Sequence, residues 1–256
     1  MHRAMDPQAG DSSAVRVALV TGGARRIGAA VVEALHDAGF VVVIHSNRSV
    51  DEAGKLRDRL NAARPGSADA VRCDLLRTAE LGPLIEHVVA KHGRLDALIN
   101  NASSFHPTAI GTTTEAQWDD LVGSNLKAPY FLCQAAAPAL RRAGGCVVNL
   151  VDIHARKPMR GYAAYCAAKA GLAMLTLALA KDLGPEVRVN GVAPGAVLWP
   201  EAPMDERLKQ EIVATTTLKR VGTPEDVART VRFLVCDAPY LSGQIIAVDG
   251  GRSIGW

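Results

Sequence analysis

The chain has 256 residues, of which 48% are hydrophobic, and a formal net charge of +3. This length and apolar content favour one large core over two small ones. The 29 basic and 26 acidic residues are spread along the chain without a basic run, so we expect no nucleic-acid partner. The five cysteines lack CxxC and His/Cys metal-ligand spacings, so we expect reduced thiols and no bound metal.

The first residues and the apolar runs bear on where the protein resides. The opening MHRAMDPQAGDSS is polar and has no apolar signal-peptide core, and we expect residues 1–13 to be a flexible leader. The longest apolar run, around GLAMLTLALA, is shorter than a membrane span requires. We therefore expect a cytoplasmic protein with no membrane partner.

Seven short runs rich in β-branched residues alternate with longer amphipathic stretches. The stretches between them are long enough for crossover helices, and the runs are apolar on both faces, as in buried parallel strands. We predict an α/β fold over residues 14–256, a single-domain Rossmann-type doubly wound parallel sheet of about seven strands with helices on both faces. The predicted strands are residues 15–21, 41–46, 69–74, 96–101, 146–151, 187–193 and 244–249.

The first predicted strand runs directly into TGGARRIG, a turn of small residues that opens a helix. Ligands of such sheets bind beyond the carboxyl ends of the strands, where backbone N–H groups and the helix dipole can hold a pyrophosphate. The turn matches neither GxGxxG nor the P-loop pattern. Alone it is equally compatible with an ordinary tight turn between strand and helix.

The second predicted strand ends in HSNRS, where a protein that selects NAD places a carboxylate for the ribose 2′-hydroxyl. A carboxylate would repel a 2′-phosphate, whereas Arg48, with Ser49 and His45 nearby, supplies donors and positive charge. This favours NADP(H) as the cofactor. The alternative is that Arg48 is a solvated loop arginine.

A third signal lies at LVDIHARKPMRGYAAYCAAK, residues 150–169. On a helix Tyr165 and Lys169 are one turn apart and share a face, so the ammonium can favour the ionised phenol. A YxxxK pair alone occurs by chance, with the tyrosine packed and the lysine in water. Here it follows a strand that ends at the ligand edge, with Asn125 in a helix upstream, and the context predicts a proton-transfer site.

Together TGGARRIG, Cys73–Asp74, NNAS, Asn125, YCAAK, VRVNGVAPG and the late VDGG resemble the short-chain dehydrogenase/reductase family, from about residue 15 to 252. The resemblance implies that Tyr165 donates a proton and that Lys169 holds the nicotinamide ribose and lowers the pKa of the tyrosine. It implies that Asn125 supports a proton relay through water, and that the protein is a homotetramer. It also assigns Asp74 to the adenine, Asn101 and the NNA turn to the adenosine side, and Pro194–Gly195 to the nicotinamide.

Two positions depart from the common family pattern. The residue thirteen before the tyrosine, usually a serine, is Asp152, and the usual middle glycine of the first turn is Arg26. This pair resembles the pteridine reductase branch, which also shows an NNASSF stretch, an HxxRS-type loop and GSN followed by APYF. Here these are Asn100–Phe105, His45–Ser49, Gly123–Asn125 and Ala128–Phe131.

The chemistry of pterin reduction suits an acid at position 152. A ketone needs a hydrogen bond to its oxygen, which a serine supplies, whereas a ring C=N bond needs a proton on nitrogen as hydride arrives at carbon. We predict that Asp152 and Tyr165 form a coupled acid pair biased by Lys169. By resemblance, Arg26 contacts cofactor phosphate and pterin, Phe105 stacks on the flat ring, and Ser103 hydrogen-bonds pterin or cofactor.

Three hypotheses follow: an NADPH-dependent pteridine reductase acting on a dihydropterin or dihydrofolate, a general carbonyl/hydroxyl reductase, or a non-catalytic NADP(H)-binding regulator. The first predicts catalysis by Asp152, Tyr165, Lys169 and Asn125, and substrate contacts from Arg26, Ser103, Phe105, Asp152, Tyr165 and Trp199. Residues 196–217 are the predicted substrate flap. The predicted cofactor contacts are Gly22, Arg25, Arg26, Ile27, His45, Asn47, Arg48, Ser49, Asp74, Leu75, Asn101, Ala102, Ser103, Lys169, Pro194 and Gly195.

Overall fold

The computed structural model describes residues 15–199 and 205–254. Seven strands form one sheet in the order β3-β2-β1-β4-β5-β6-β7, and all neighbours are parallel. The doubly wound fold predicted from the alternation is therefore confirmed. The strands are β1 Val17–Val20, β2 Val41–Ser46, β3 Ala68–Arg72, β4 Ala97–Asn100, β5 Cys146–Leu150, β6 Arg188–Pro194 and β7 Ile245–Val248.

Eight α-helices connect these strands in the described parts of the chain. They are α1 Arg26–Asp37, α2 Val50–Ala63, α3 Thr78–His92, α4 Glu115–Val122, α5 Ala128–Ala143, α6 Ala163–Leu183, α7 Glu206–Thr215 and α8 Pro224–Cys236. A π-helical turn, Gly123–Lys127, joins α4 to α5 without a break. Helix α8 begins with Pro224 behind a Thr223 cap, and Asp226 completes a reciprocal capping box.

The core has two layers because each strand is apolar on both faces. One face of the sheet packs against α1, α2 and α8, with buried residues such as Val31, Leu56 and Val231. The other face packs against α3, α5 and α6, with residues such as Leu84 and Leu132. This double burial explains why the strands read as continuous hydrophobic runs rather than as alternating patterns.

The strand order places the ligand edge of the sheet between β1 and β4. The chain winds outward from β1 to β3 and then returns to add β4 on the opposite side of β1, which creates a topological switch point. The loops after β1 and β4 meet there. The Asn101 amide Nδ2 donates to the carbonyls of Thr21 (2.9 Å) and Gly22 (3.0 Å) and thus joins the two loops.

A buried chain of polar side chains connects the sheet to α6. Asn100 in β4 donates to the Asn149 side chain in β5 at 2.8 Å, and Asn149 donates to the Thr176 hydroxyl in α6 at 2.9 Å. Apolar packing tolerates sliding of a helix over a sheet, whereas hydrogen bonds between buried amides allow few registers. We infer that this chain sets the axial position of α6 and hence of the tyrosine and lysine near its start.

Helix α6 is 21 residues long and is the one described helix that has the length and composition of a membrane span. The apolar run GLAMLTLALA is itself shorter than a span, and the helix reaches this length because it extends beyond the run on both sides. The helix packs against β5, β6 and α5, as a core helix of a soluble protein does. Four cysteines are buried and the fifth is half-buried, all as free thiols.

The predicted leader, residues 1–13, lies outside the described residues. Part of the predicted flap is described: residues 196–199 follow β6, and α7 occupies 206–215. Pro200 to Met204 lie outside the described residues.

Close packing at the first turn predicts a strong effect of Gly28→Ala. A Cβ atom on Gly28 would lie 2.0 Å from the Gly22 carbonyl oxygen and 2.7 Å from Asn101 Nδ2. We expect a loss of roughly 1–3 kcal/mol in the free energy of unfolding, measured by urea denaturation. In Gly82→Ala, where a Cβ meets nothing within 4 Å in α3, we expect a gain of about 0.5–1 kcal/mol. Equal stability of the two variants would contradict this packing.

Candidate active site

A cleft of about 720 Å³ opens at the switch point, beyond the carboxyl ends of β1, β4, β5 and β6. Fourteen predicted site residues line it, from five separate stretches of chain. They are Gly22, Arg25, Arg26, Ile27, Asn101, Ala102, Ser103, Phe105, Asp152, Tyr165, Lys169, Pro194, Gly195 and Trp199. The remaining seven, His45, Asn47, Arg48, Ser49, Asp74, Leu75 and Asn125, do not line this cleft.

Asp152 and Tyr165 are in direct contact. The Tyr165 hydroxyl donates to Asp152 Oδ2 at 2.7 Å, while Asp152 Oδ1 accepts from the backbone N–H of His154 at 2.8 Å. The second bond caps the short 3₁₀ turn Ile153–Ala155. Because one carboxylate oxygen is held by the main chain, the other is directed at the phenol.

Burial and the neighbouring carboxylate raise the pKa of Tyr165 well above its ordinary value. Lys169 is only 3% exposed, and this burial lowers its pKa to about 8 although the Asp152 charge opposes the change. Burial and the Asp152 carboxylate therefore outweigh any lowering of the Tyr165 pKa by Lys169. The ammonium donates to the Leu150 carbonyl at 2.7 Å and lies 5.8 Å from the phenol ring centroid, whereas the carboxylate touches the hydroxyl.

Asn125 is fully buried in the π-helical turn, and its side chain supports the loop after β4. Its Oδ1 accepts from Ser103 Oγ at 2.7 Å, and its Nδ2 donates to the carbonyls of Ser104 (2.9 Å) and Leu121 (3.0 Å). π-Helical turns occur often at functional sites because they redirect one side chain. Here the side chain of Asn125 holds Ser103 rather than entering the cleft.

Phe105 forms an aromatic cluster with two tyrosines at the mouth of the cleft. Its ring is stacked on Tyr162, with centroids 4.8 Å apart and an interplanar angle of 16°. It also meets Tyr165 edge to face at 4.9 Å. Since Phe105 remains 50% exposed, its ring can contact a flat ligand while it packs against the phenol that the sequence predicts as proton donor.

The imidazole ring of His45, in β2, is buried against the first turn. Its Nδ1 accepts from the Gly22 N–H at 3.2 Å, and its Nε2 donates to the Cys73 carbonyl at 3.0 Å. Burial lowers the pKa of His45, so the ring is neutral and both nitrogens are occupied. The prediction that it helps bind a 2′-phosphate is therefore not met, and His45 instead joins the ends of β1, β2 and β3.

Arg26 and Trp199 come from distant parts of the sequence and meet across the cleft. Both Arg26 Nη atoms donate to the Trp199 carbonyl at 3.4 Å. The backbone of Arg26 is left-handed, with a φ of 53°, which a glycine adopts without the steric cost that a side chain adds. Such strain at a non-glycine residue is typical of a functional position.

The other predicted cofactor residues lie at the ends of β2 and β3, next to the first turn. Asn47 donates to Asp74 Oδ1 at 3.3 Å, and the same oxygen accepts from the Leu76 N–H. Leu75 is buried, whereas Arg48 is exposed and Ser49 is half-buried before α2. This region lies beside the first turn, on the side of β1 toward the β3 edge of the sheet.

Ten residues of the cleft were not named individually as site residues from the sequence. They are Gly28, Leu150, Val151, His154, Met159, Ala196, Val197, Leu198, Ile212 and Arg252. Ala196, Val197, Leu198 and Ile212 lie in the predicted flap, residues 196–217. Arg252 follows the late VDGG stretch, and its guanidinium donates to the Ile212 carbonyl in α7 at 3.0 Å. A cation so close to a family motif was the signal that could have found Arg252.

Comparison with known proteins agrees with this geometry. A family model described as Enoyl-(Acyl carrier protein) reductase matches residues 22–253. The chain belongs to the short-chain dehydrogenase/reductase family. It is 36% identical to Pteridine reductase 1 of Leishmania tarentolae, over 93% of this chain and 96% of that protein.

Ketoacyl reductases are about as similar. The chain is 38% identical to granaticin polyketide synthase ketoacyl reductase 2 of Streptomyces violaceoruber, over 95% of this chain and 98% of that one. It is 34% identical to the 3-oxoacyl-[acyl-carrier-protein] reductase of Staphylococcus epidermidis, over 91% and 97%. The protein is therefore an NAD(P)H-dependent oxidoreductase.

The described residues fit a nicotinamide dinucleotide. Helix α1 is 12 residues long and begins in the cleft, and the first N–H groups of a helix have no intrahelical partner and favour phosphate. Gly195 permits close approach of the turn after β6 to the C-terminal segment, since a Cβ there would lie 2.8 Å from Asp249 Cα. Lys169 and Pro194 line the same cleft.

The lowered pKa of Lys169 predicts a pH dependence of stability. Between about 8 in the folded chain and 10.5 for an unperturbed lysine, the unfolded chain holds a proton that the folded chain lacks. The folded state therefore gains stability as the pH rises through this window. Relative to Lys169→Met, we expect the wild-type free energy of unfolding to rise by about 2 kcal/mol between pH 8 and 9.5, measured by urea denaturation.

The exposed Lys181 on the same helix provides the control. Lys181→Met is expected to follow the wild type at both pH values, because removal of an exposed ammonium leaves the buried one unchanged. If Lys169→Met also followed the wild type, the ammonium at position 169 would not have a lowered pKa.

Proposed function

We propose that this protein is an NADPH-dependent pteridine reductase that reduces a ring C=N bond of a dihydropterin. The observation that carries the proposal is the 2.7 Å hydrogen bond between Tyr165 and the Asp152 carboxylate. Dihydrofolate, which contains the same ring system, is included in the proposed substrate class.

Reduction of a C=N bond requires a hydride on carbon and a proton on nitrogen. The nicotinamide, when bound, supplies the hydride. Because the raised pKa of Tyr165 keeps the phenol protonated at neutral pH, the phenol is available as a proton donor. Asp152 and Tyr165 share a proton between adjacent oxygens, so protons taken up from solvent belong to the pair rather than to either residue.

Lys169 stabilises the negative charge that remains on Asp152 and Tyr165 after they donate a proton. Loss of a proton from the pair adds negative charge beside an ammonium that is buried one helical turn away on α6. Attraction between opposite charges is strong where water is excluded. In this proposal Lys169 thus lowers the cost of proton transfer, although it does not ionise the phenol beforehand.

The walls of the cleft suit a flat heterocycle with a polar edge. Phe105 presents an aromatic face next to Tyr165, which favours stacking of a planar ring. Arg26 reaches over the cleft from the first turn and can exchange its contact with the Trp199 carbonyl for one with ligand oxygens or nitrogens. Ser103 lines the same wall.

A ketoacyl or general carbonyl reductase is the second candidate, and it is favoured by the 34–38% identity to ketoacyl reductases. It predicts that a hydroxyl at position 152 serves as well as a carboxylate. A non-catalytic NADP(H)-binding regulator is the third hypothesis. It predicts no oxidation of NADPH in the presence of any pterin or ketone.

Replacement of the acid tests the proposal. We expect Asp152→Ala to lower kcat for dihydrobiopterin, dihydromonapterin or dihydrofolate by about 100-fold or more, because general acid catalysis contributes about that much. NADPH oxidation followed by absorbance gives kcat, and a panel of ketones is measured alongside. The Kd for NADPH is expected to remain within about twofold, since among the described residues the carboxylate hydrogen-bonds only to the phenol and to its own turn.

The Asp152→Ser variant separates the two enzyme candidates. A pteridine reductase so altered loses pterin turnover and keeps or gains turnover of ketones, because a serine supplies a hydrogen bond to oxygen but no acid. Turnover of ketones alone by the wild type, or pterin turnover that does not change when Asp152 is lost, would contradict the proposal.

The preference for NADPH is tested at the end of β2. The proposal is that the exposed Arg48 pairs with the 2′-phosphate, and we expect Arg48→Ala to raise the KM for NADPH by about tenfold or more while the KM for NADH changes little. Arg57 on α2, which pairs with Asp58, is the matched control. Equal changes for both cofactors would argue against a 2′-phosphate contact.

We also propose a homotetramer in the cytoplasm. Large apolar side chains are exposed on three neighbouring helices, namely Trp118 on α4, Tyr130 on α5, and Met174 and Leu177 on α6. Burial of such exposed apolar side chains favours association of chains. Light scattering during size-exclusion chromatography would give a mass near four chains of 27.0 kDa, whereas a monomer mass would refute this part of the proposal.

A further inference from the structure

The loop that follows β4 carries two of the residues proposed to contact ligand, and the proposed function does not explain what holds this loop. Along residues 103–106 exposure alternates: Ser103 and Phe105 are exposed and line the cleft, whereas Ser104 and His106 are half-buried. In an extended chain successive side chains point to opposite sides. The side chains of Ser104 and His106 therefore point away from the cleft and contact another part of the protein.

The residue that both side chains contact is Asp120 on α4. Its Oδ1 accepts from Ser104 Oγ at 3.0 Å, and its Oδ2 pairs with His106 Nε2 at 2.9 Å. One carboxylate thus holds the two residues on either side of Phe105. Among the described residues no hydrogen bond reaches the buried His106 Nδ1, so the only polar contact of this ring is the one with Asp120.

The next turn of the chain adds three more hydrogen bonds to the same loop. Ser124 Oγ accepts from the Ser104 N–H at 3.2 Å. Asn125 accepts from Ser103 Oγ and donates to the Ser104 carbonyl. These three bonds hold the start of the loop, whereas Asp120 alone holds both sides of Phe105.

Helix α4 is itself tied to the helix that carries Tyr165. It begins with a reciprocal capping box between Thr114 and Gln117, and its Leu121 is fully buried in a cluster with Ala164 and Tyr165. Asp120 therefore links the Phe105 loop to a helix that packs directly on the phenol. The ring of Phe105 lies 4.9 Å from that of Tyr165 and is also stacked on Tyr162.

We propose that Asp120 is a positioning residue that sets the Phe105 ring against Tyr165 through Ser104 and His106, and so determines affinity for a planar substrate. The proposal rests on the proposed function, because stacking matters only for a flat ring. It concerns substrate binding rather than proton transfer, since Asp120 does not line the cleft.

A double-mutant cycle with Phe105 tests this role. We expect Asp120→Ala to raise the KM for dihydrobiopterin by about tenfold with a smaller change in kcat, because misplacement of a binding group weakens the bound complex first. The Kd for NADPH, from its fluorescence on binding, is expected to stay within about twofold. The double variant with Phe105→Ala is expected to be no worse than Phe105→Ala alone, since both changes remove the same contact.

Two further variants control the cycle. Asp119→Ala changes the exposed neighbour on α4 and is expected to match the wild type. Asp120→Asn keeps one oxygen that can accept from Ser104, and its KM is expected to fall between those of Asp120→Ala and the wild type. Additive effects in the double variant, or an Asp120→Ala variant that matches Asp119→Ala, would overturn the proposal.

Hydrogen exchange measured by mass spectrometry provides a readout without substrate. In Asp120→Ala we expect exchange of the segment 102–109 to rise by about fivefold or more while α5 and β5 are unchanged. Unchanged exchange in this segment would overturn the positioning role even if no pterin is turned over. Absence of pterin turnover in the wild type, with exchange altered as expected, would instead refute only the proposed function. If Asp120→Ala does not fold, Ser104→Ala removes the hydrogen bond to Asp120 Oδ1 and leaves the one from His106. The same KM and hydrogen-exchange measurements then test the proposal.

Discussion

The Tyr165 phenol donates its hydrogen bond to the Asp152 carboxylate over 2.7 Å, and the chemistry of the cleft depends on this contact. Three features of the chain make it possible: the main-chain N–H of His154 orients the carboxylate, the buried chain from Asn100 through Asn149 to Thr176 sets the position of α6, and burial keeps the phenol protonated. These three features involve different parts of the chain. The contact between Asp152 and Tyr165 therefore depends on the packing of the whole sheet and its helices rather than on a local motif.

Much of this architecture could be predicted from the sequence because parallel strands buried on both faces have a simple pattern. The strand positions, the turn after β1 and the capped start of α8 follow from local residue types, and all are present in the structure. The prediction for His45 was not met because polarity along a strand does not reveal which side chain points inward. The raised pKa of Tyr165 was not predicted because it depends on burial and on contact with Asp152, and spacing along a helix gives neither.

Some contacts around the cleft were not predicted because they join segments that are far apart in the sequence. Ile212 and Arg252 meet because α7 and the C-terminal segment pack together beside the cleft, and Asp120 meets Ser104 and His106 through a loop of irregular structure. Such contacts join residues that are 14 to 40 positions apart. The similarity to both pteridine and ketoacyl reductases leaves the substrate to be argued from Asp152, Phe105 and Arg26, which are the residues that distinguish the two chemistries here.

The structure of a ternary complex with NADP⁺ and dihydrobiopterin is the most direct test of the account. The account predicts that the pterin ring stacks on Phe105, with a ring nitrogen within hydrogen-bonding distance of the Tyr165 hydroxyl and with Asp152 still bonded to that hydroxyl. A pterin bound with its ring nitrogens away from Tyr165 and Asp152 would contradict the assignment of the acid pair. So would a carbonyl group of the ligand in the position next to the phenol.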